Sequence, residues 1–118
     1  MWQYPNVAFI ESRVFTRRLH KLAKGRAPDV LSAIQSDLIG NPEAGRMVQG
    51  LGGIRKARAA DPKRGRDKRD GFRYLYLDVP ARAHIHLLYL FGKDEQEDLD
   101  AAERTALREL AEQIKNQR

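Results

Sequence analysis

Four basic residues of this 118-residue chain could act together on a phosphate group. Lys56 and Arg58 alternate along a predicted strand, Arg73 lies at the start of the next strand, and Lys93 follows a third. Because adjacent antiparallel strands lie about 5 Å apart, these cations can converge on one phosphate. Such a set could cleave RNA without a metal, since Arg and Lys stabilise the charge that develops when a 2′-OH attacks phosphorus. A lysine crowded by other cations loses its proton more readily and could be the base. Plain phosphate binding is the alternative.

The net charge of +6 is concentrated in one segment that contains three of these residues. Residues 54–73 hold nine Lys or Arg and three Asp or Glu, whereas the rest of the chain has 13 of each kind. Clustered Lys and Arg are typical of nucleic-acid binding, so the segment predicts a polyanionic partner. A charged loop exposed to water is the alternative interpretation.

Other sets of reactive side chains are weaker candidates. His84 and His86 share one face of a predicted strand but lack a third metal ligand, so we interpret them as structural, with an acid–base pair as the alternative. Gly50-Leu51-Gly52-Gly53 precedes a strand rather than a helix and does not match a phosphate-binding loop. Acidic residues between Asp94 and Asp98 are more typical of a solvated loop than of paired catalytic carboxylates. The absence of cysteine excludes thiol nucleophiles, disulfides and zinc knuckles, and we expect no metal and no cofactor.

The first half of the chain predicts one strand and two helices. A short apolar run at 7–10 is followed by a helix that Ser12 can cap, and its apolar residues recur at helical spacing. Pro28 suits the first turn of a second helix, which should end near Gly40. With Gly25 in the connection, the two helices are expected to form an antiparallel hairpin.

Three strands and a final helix follow. Strand-like runs occupy 54–59, 72–79 and 84–91, and Asp100 with Glu103 predicts a capping box at the start of a C-terminal helix. This order indicates an α+β protein, a single domain over residues 1–118, with a small, twisted, largely antiparallel sheet. We expect the helices to cover one face of the sheet and the other face to be open, with the basic segment at its rim.

No apolar run approaches the roughly 18 residues of a membrane span, and the N-terminus lacks the features of a signal peptide. We therefore expect a cytoplasmic protein with no membrane partner.

Four segments carry a more specific signature. They are Asn41-Pro42-Glu43-Ala44-Gly45; Gly50-Leu51-Gly52-Gly53-Ile54-Arg55-Lys56-Ala57-Arg58; Lys68-Arg69-Asp70-Gly71-Phe72-Arg73; and Leu87-Leu88-Tyr89-Leu90-Phe91-Gly92-Lys93-Asp94-Glu95-Gln96-Glu97-Asp98-Leu99. In order and spacing they resemble the RelE/HigB toxins of bacterial type II toxin–antitoxin systems, and the HigB branch more than RelE. The resemblance covers nearly all of residues 7–115. It implies a small α+β toxin, with a two-helix hairpin on a twisted antiparallel sheet, that enters the ribosomal A site and cuts mRNA there without a metal.

The resemblance also implies roles for single residues. Lys56 and Arg58 match the alternating basic pair of the family's central strand, Arg73 the arginine two residues after the loop glycine, and Lys93 the basic residue after the last strand. Arg73 would then stabilise the scissile phosphate, with Lys56 or Arg58 as base or charge clamp. Contacts to RNA or the ribosome are expected from the remaining cations of the basic segment, Arg55, Lys63, Arg64, Arg66, Lys68 and Arg69.

The chain departs from RelE at two places. RelE-like members have an arginine where this chain has Asp94, and a catalytic tyrosine near the C-terminus where this chain reads Leu99-Asp100-Ala101-Ala102. Proton transfer therefore cannot be assigned by analogy, although Tyr74 and Tyr76 lie on a neighbouring strand.

The partners implied by the resemblance are the ribosome, mRNA and a cognate antitoxin. The antitoxin would be a helix-turn-helix, HigA-like protein encoded by the adjacent gene, through which operator DNA is contacted only indirectly. The related ParE branch shares the fold and acts on DNA gyrase, so a gyrase inhibitor is one alternative function. A catalytically weak RNA-binding or regulatory member is the other.

Overall fold

Three helices and five strands make up the part of the chain that the computed structural model describes, residues 6–64, 68, 71–95 and 98–117, with the backbone alone at residue 64. In chain order they are β1 (Ala8–Glu11), α1 (Arg13–Ala23), α2 (Ala27–Gly40), β2 (Arg46–Met47), β3 (Arg55–Ala59), β4 (Phe72–Val79), β5 (His84–Phe91) and α3 (Ala101–Lys115). Short 3₁₀ turns lie at Lys24–Arg26, Pro62–Arg64 and Pro80–Arg82.

The five strands form one open sheet in the order β1-β5-β4-β3-β2. β1 pairs with β5 in parallel, and every other neighbouring pair is antiparallel. The predicted α+β class and the largely antiparallel sheet are thus confirmed. β4 and β5 have the predicted bounds, and both are rich in the β-branched and aromatic residues that suit a buried strand.

The predicted two-helix hairpin is wrong. α1 passes through the 3₁₀ turn at Lys24–Arg26 directly into α2, so residues 13–40 form one long helical segment. The left-handed backbone at the junction belongs to Lys24, with φ of 52°, and not to Gly25. The sequence continues one apolar stripe across the junction, and its buried residues are three or four positions apart throughout. They are Phe15, Leu19, Ala23, Ala27, Val30, Ile34 and Leu38.

Helices pack on both faces of the sheet, contrary to the expectation of one open face, although α3 leaves the β2–β3 part of its face uncovered. The residues of β4 alternate between two hydrophobic cores, with Phe72, Tyr74 and Tyr76 under α1 and α2, and Leu75 and Leu77 under α3. This alternation follows from the two-residue period of a strand. A strand that is apolar on both faces needs a helix on each face.

The helix α3 is fastened at both ends. Asp100 and Glu103 form the predicted capping box, in which the Asp100 carboxylate accepts from Glu103 N at 2.7 Å and the Glu103 carboxylate accepts from Asp100 N at 3.0 Å. At the other end, Arg82 donates to the carbonyl oxygen of Ile114 at 2.9 Å. Among the described residues, no helix has the length and apolar character needed to cross a membrane.

Candidate functional site

The strand register brings three of the four predicted catalytic cations onto one face of the sheet. Arg58 on β3 lies opposite Arg73 on β4, and Lys56 lies opposite Leu75. Lys56 also lies opposite Arg46 on β2. Directly opposed residues share a face, as do residues two apart on a strand. Because Leu75 belongs to the core under α3, the side chains of this set point to the α3 side, near the β2 edge of the sheet; the set is Arg46, Lys56, Arg58 and Arg73.

These side chains line one cavity of about 490 Å³, which we call the cation cavity, lined by Arg46, Lys56, Ala57, Arg58 and Arg73. Arg46 and Arg58 are exposed, whereas Lys56 and Arg73 are half-buried. Four cationic side chains around one concave surface produce a positive potential that attracts anions. Arginine also presents several N–H donors in a planar fork that matches phosphate oxygens.

Arg73 is positioned by the turn that precedes β4. Its Nη1 donates to the carbonyl oxygen of Gly71 at 3.2 Å. Gly71 itself is required by a close backbone approach, since a Cβ at this position would lie 1.9 Å from the carbonyl oxygen of Ala59. The glycine therefore lets the end of β3 and the start of β4 meet, which places Arg58 opposite Arg73.

Arg46 is a cavity residue that the sequence prediction missed. It follows Gly45, whose N–H donates to the Tyr76 hydroxyl at 2.9 Å, and that hydroxyl donates to the Pro42 carbonyl oxygen at 2.8 Å. A Cβ at Gly45 would lie 2.9 Å from the carbonyl oxygen of Lys56, so this glycine lets β2 approach β3. The two-residue strand is too short to produce a periodic pattern. The sequence feature that could have indicated Arg46 is that a basic residue directly follows the 41–45 segment.

Arg55 points to the opposite face from Lys56. Its guanidinium donates to the Gly45 carbonyl oxygen at 2.8 Å and lies 3.8 Å from the Glu43 carboxylate. Arg55 thus fastens the 41–45 segment to β3 and does not line the cation cavity.

The other predicted contacts to RNA or the ribosome also lie away from that cavity or cannot be placed. Lys68 pairs with Asp37 on α2 at 2.8 Å, and Lys63 is exposed after β3. The side chain of Arg64 and the whole of Arg66 and Arg69 lie outside the described residues.

Lys93 is not brought together with Lys56, Arg58 and Arg73. It lines a separate cavity on the α1 side of the molecule, whose lining includes Leu22, Arg26 and Asp61. β5 ends at Phe91, and Glu95 in the following turn contacts Arg18 on α1. This contact draws the turn that carries Lys93 towards α1 and away from α3.

Neither strand tyrosine supplies a proton donor at the cation cavity. Tyr74 and Tyr76 point into the core under α1 and α2, where burial raises the pKa of both hydroxyls. The Tyr76 hydroxyl is also engaged by the 41–45 segment.

The histidines lie at the far end of the sheet from Arg73. His84 pairs with Val79 at one end of the β4–β5 ladder, while Arg73 pairs with Phe91 at the other. Burial lowers the pKa of His86, and the positive charges of His84 and Arg82 lower it further. Neither histidine lines the cation cavity. Within the described part of the chain, no group of three or more His, Cys, Asp or Glu could hold a metal ion.

A second cavity adjoins the cation cavity, and Lys56 belongs to both. Together they form a groove along the β2–β3 side of the sheet, bounded by the start of α3. The groove can bind an anionic chain and stabilise charge on a phosphate.

The fold is shared with solved toxin structures, although no protein-family model matches the chain. The toxin–antitoxin complex RelBE2 from Mycobacterium tuberculosis is 20% identical over 73% of this chain and 96% of that chain, with a TM-score of 0.57. The isolated RelE toxin of E. coli is 13% identical over 92% and 98%, with a TM-score of 0.54. A RelE–RelB complex from Pyrococcus horikoshii is 15% identical over 78% and 100%, with a TM-score of 0.52. The chain therefore has the fold of these RelE toxins.

Proposed function

We propose that this chain is the toxin of a type II toxin–antitoxin system, a member of the RelE/ParE superfamily in its HigB-like branch. Its activity is the ribosome-dependent cleavage of mRNA in the A site, which inhibits translation. The observation that carries the proposal is the convergence of Arg46, Lys56, Arg58 and Arg73 on one cavity, on a fold that RelE toxins share.

The proposed reaction is an internal transesterification that needs no metal. The ribose 2′-OH attacks the adjacent phosphorus and loses its proton to a base, the bond to the 5′-oxygen breaks, and the leaving oxygen takes up a proton. The products are a 2′,3′-cyclic phosphate and a free 5′-OH. The guanidinium groups of Arg58 and Arg73 stabilise the charge that develops on the phosphate oxygens.

Lys56 is the proposed base within the cation cavity. Arginine stays protonated in proteins, so Arg46, Arg58 and Arg73 act as charge clamps rather than as bases. Among the described residues that line the cavity, Lys56 is then the one that can accept the 2′-OH proton in its neutral form.

The proposed partners are the ribosome, mRNA and a HigA-like antitoxin in the cytoplasm, with operator DNA contacted through the antitoxin. RelE is found with RelB in the similar complexes, which supports an antitoxin partner here. The antitoxin would neutralise the toxin by covering the cation cavity or by preventing entry into the A site.

A cell-free translation reaction followed by primer extension tests the function. We expect the purified chain to produce cleavage at defined codons of a translated mRNA, with 2′,3′-cyclic phosphate ends, and no cleavage of the same mRNA without ribosomes. An absence of ribosome-dependent cleavage would contradict the proposal. Two further measurements on the same preparation then separate the alternatives. Inhibition in a gyrase supercoiling assay supports the ParE-like function, whereas RNA binding without cleavage and without gyrase inhibition supports a regulatory member.

A further inference from the structure

The cavity that adjoins the cation cavity has a different lining. Its volume is about 380 Å³, and it combines four apolar residues with three charged ones. The lining residues are Val48, Leu75, Phe91, Leu99, Lys56, Asp98 and Arg104. Leu75 and Phe91 are almost fully buried and so form the floor, whereas Asp98 is exposed and lies at the mouth. We call this space the side cavity.

The walls of the side cavity are fixed by hydrogen bonds. Arg104, in the first turn of α3, donates to the carbonyl oxygen of Gln49 at 2.6 Å, which ties α3 to the turn after β2. Val48 N donates to the carbonyl oxygen of Ile54 at 2.9 Å, and the capping box at Asp100 holds the start of α3. These backbone contacts keep Val48, on the side of β2, apart from Leu99, on the side of α3. The cavity is therefore formed before any ligand binds.

A cavity that combines apolar side chains with a carboxylate and two cations, next to a phosphate site, suits a nucleobase. Proteins bind single-stranded RNA by placing unstacked bases against apolar or aromatic side chains and by hydrogen bonding to the base edges. Because Lys56 belongs to both cavities, a nucleotide could place its phosphate in the cation cavity and its base in the side cavity.

A carboxylate such as that of Asp98 distinguishes the four bases by their hydrogen-bonding edges. Guanine offers two adjacent donors, N1–H and the N2 amino group, which match the two carboxylate oxygens. Adenine and cytosine offer an amino group beside a ring nitrogen with a lone pair, which repels a carboxylate, and uracil offers a single N–H between two carbonyls. We propose that the side cavity is a nucleobase subsite selective for guanine and that Asp98 is its specificity-determining residue. The proposal rests on the proposed RNA substrate and adds a base preference to it.

An NMR titration of the full ¹⁵N-labelled chain tests this proposal. The ligands are the four nucleoside 5′-monophosphates and ribose 5-phosphate, which carries the phosphate without a base. We expect GMP to bind about ten-fold more tightly than AMP, CMP or UMP, since one bidentate contact discriminates between bases by roughly that factor. GMP should shift the amides of Val48 and Leu99, whereas ribose 5-phosphate should shift only amides around the cation cavity.

The test is completed by two isosteric variants, each of which removes one negative charge. Asp98→Asn should reduce the preference for GMP to within about two-fold, because the amide offers one acceptor oxygen in place of two. Asp94→Asn, whose exposed side chain lines the Lys93 cavity instead, should keep the preference. Any general effect of lost charge on phosphate affinity is common to both variants.

The outcomes separate the two proposals. Equal affinities for the four nucleotides, with ribose 5-phosphate still bound, would overturn the guanine subsite and leave the phosphate site standing. Retained GMP preference in Asp98→Asn, with melting curves that match the parent protein, would also overturn it. Failure of ribose 5-phosphate and of all four nucleotides to bind would overturn the cation cavity as a phosphate site and the guanine subsite with it.

Discussion

Arg73 is the cavity residue whose placement depends most on its local backbone. It is half-buried, it lies opposite Arg58, and its guanidinium is anchored on the Gly71 carbonyl oxygen. A guanidinium held in this way can donate to a phosphate with little loss of side-chain entropy on binding. Its contribution to catalysis should therefore be larger than that of the exposed Arg58.

We expect Arg73→Ala to reduce ribosome-dependent cleavage about 100-fold or more, because removing a preorganised donor to a developing anion costs that much. Its melting temperature should stay within about 2 °C of the parent protein, since the substitution leaves both cores intact. Primer extension and thermal melting measure the two effects. Arg17→Ala, which removes an exposed arginine of α1, is the matched control and should cleave normally. Full activity in Arg73→Ala would contradict the assignment.

Lys93 provides a separate test at the residue scale. Its position in the cavity on the α1 side predicts that Lys93→Ala loses much less activity than Arg73→Ala in the same assay. A loss equal to that of Arg73→Ala would instead support the catalytic role that the sequence resemblance implies.

At the scale of elements, the pairing of β3 with β4 depends on Gly71. In Gly71→Ala the new Cβ would overlap the Ala59 carbonyl oxygen, so the strands must shift at the pair that positions Arg58 and Arg73. Overpacking of this kind costs about 1–3 kcal/mol, which should lower the melting temperature by at least about 4 °C. Gly40→Ala, where a Cβ meets nothing within 4 Å at the end of α2, should melt no lower than the parent. Equal melting temperatures for the two variants would show that the close approach of β3 and β4 at Gly71 does not require a glycine.

The elements also show which predictions a sequence supports. β4, β5 and the α3 capping box were predicted correctly because their signals are local: β-forming residues, turn residues and one Asp–Glu spacing. The hairpin was predicted wrongly because Gly25 indicates a turn, whereas the apolar stripe that continues past it depends on the sheet beneath both helices. In the same way, nothing local in the sequence reveals that α3 covers the second face, or that β2 places Arg46 beside Lys56.

The turn after β5 is held to α1 by a charged contact that should respond to pH. Burial alone would raise the pKa of Glu95, but hydrogen bonds from Gly92 N–H and Arg18, and the charge of Arg18, hold it below its ordinary value of 4.5. A depressed folded-state pKa stabilises the fold above the unfolded-state pKa, and this contribution is lost as the pH falls through the folded-state pKa.

Glu95→Gln should therefore melt at a lower temperature than the parent protein at pH 7, and the difference should shrink as the pH falls well below 4.5. Thermal melts across this range measure the effect, which should be modest because the Glu95 side chain is 42% exposed. Asp94→Asn removes the same charge one residue earlier and serves as the control. A difference between Glu95→Gln and the parent that is constant with pH would exclude titration of Glu95 as its cause.

At the scale of the whole molecule, the two covering layers explain where the groove lies. α1 and α2 cover one face of the sheet, and α3 covers the other from β5 to part of β4. Cations replace apolar residues on the α3 side of β2 and β3, so the β2–β3 part of this face becomes a charged groove rather than a core. Three cations of the basic segment, Lys56, Arg58 and Arg73, therefore lie on the uncovered part of the sheet.

This arrangement predicts how strongly the binding of RNA depends on salt. We assume that each of the four cations of the cavity neutralises one phosphate. A plot of the logarithm of the association constant against the logarithm of the salt concentration should then have a slope of about −3, because each contact to a single strand contributes about −0.7. Fluorescence anisotropy with a labelled 2′-O-methyl oligoribonucleotide, which cannot be cleaved, measures this slope. Arg58→Ala and Arg73→Ala should each make the slope shallower by about 0.7, whereas Arg17→Ala should leave it unchanged. The reverse result, in which only Arg17→Ala alters the slope, would place the RNA on the face of α1 that carries Arg17 and away from the groove.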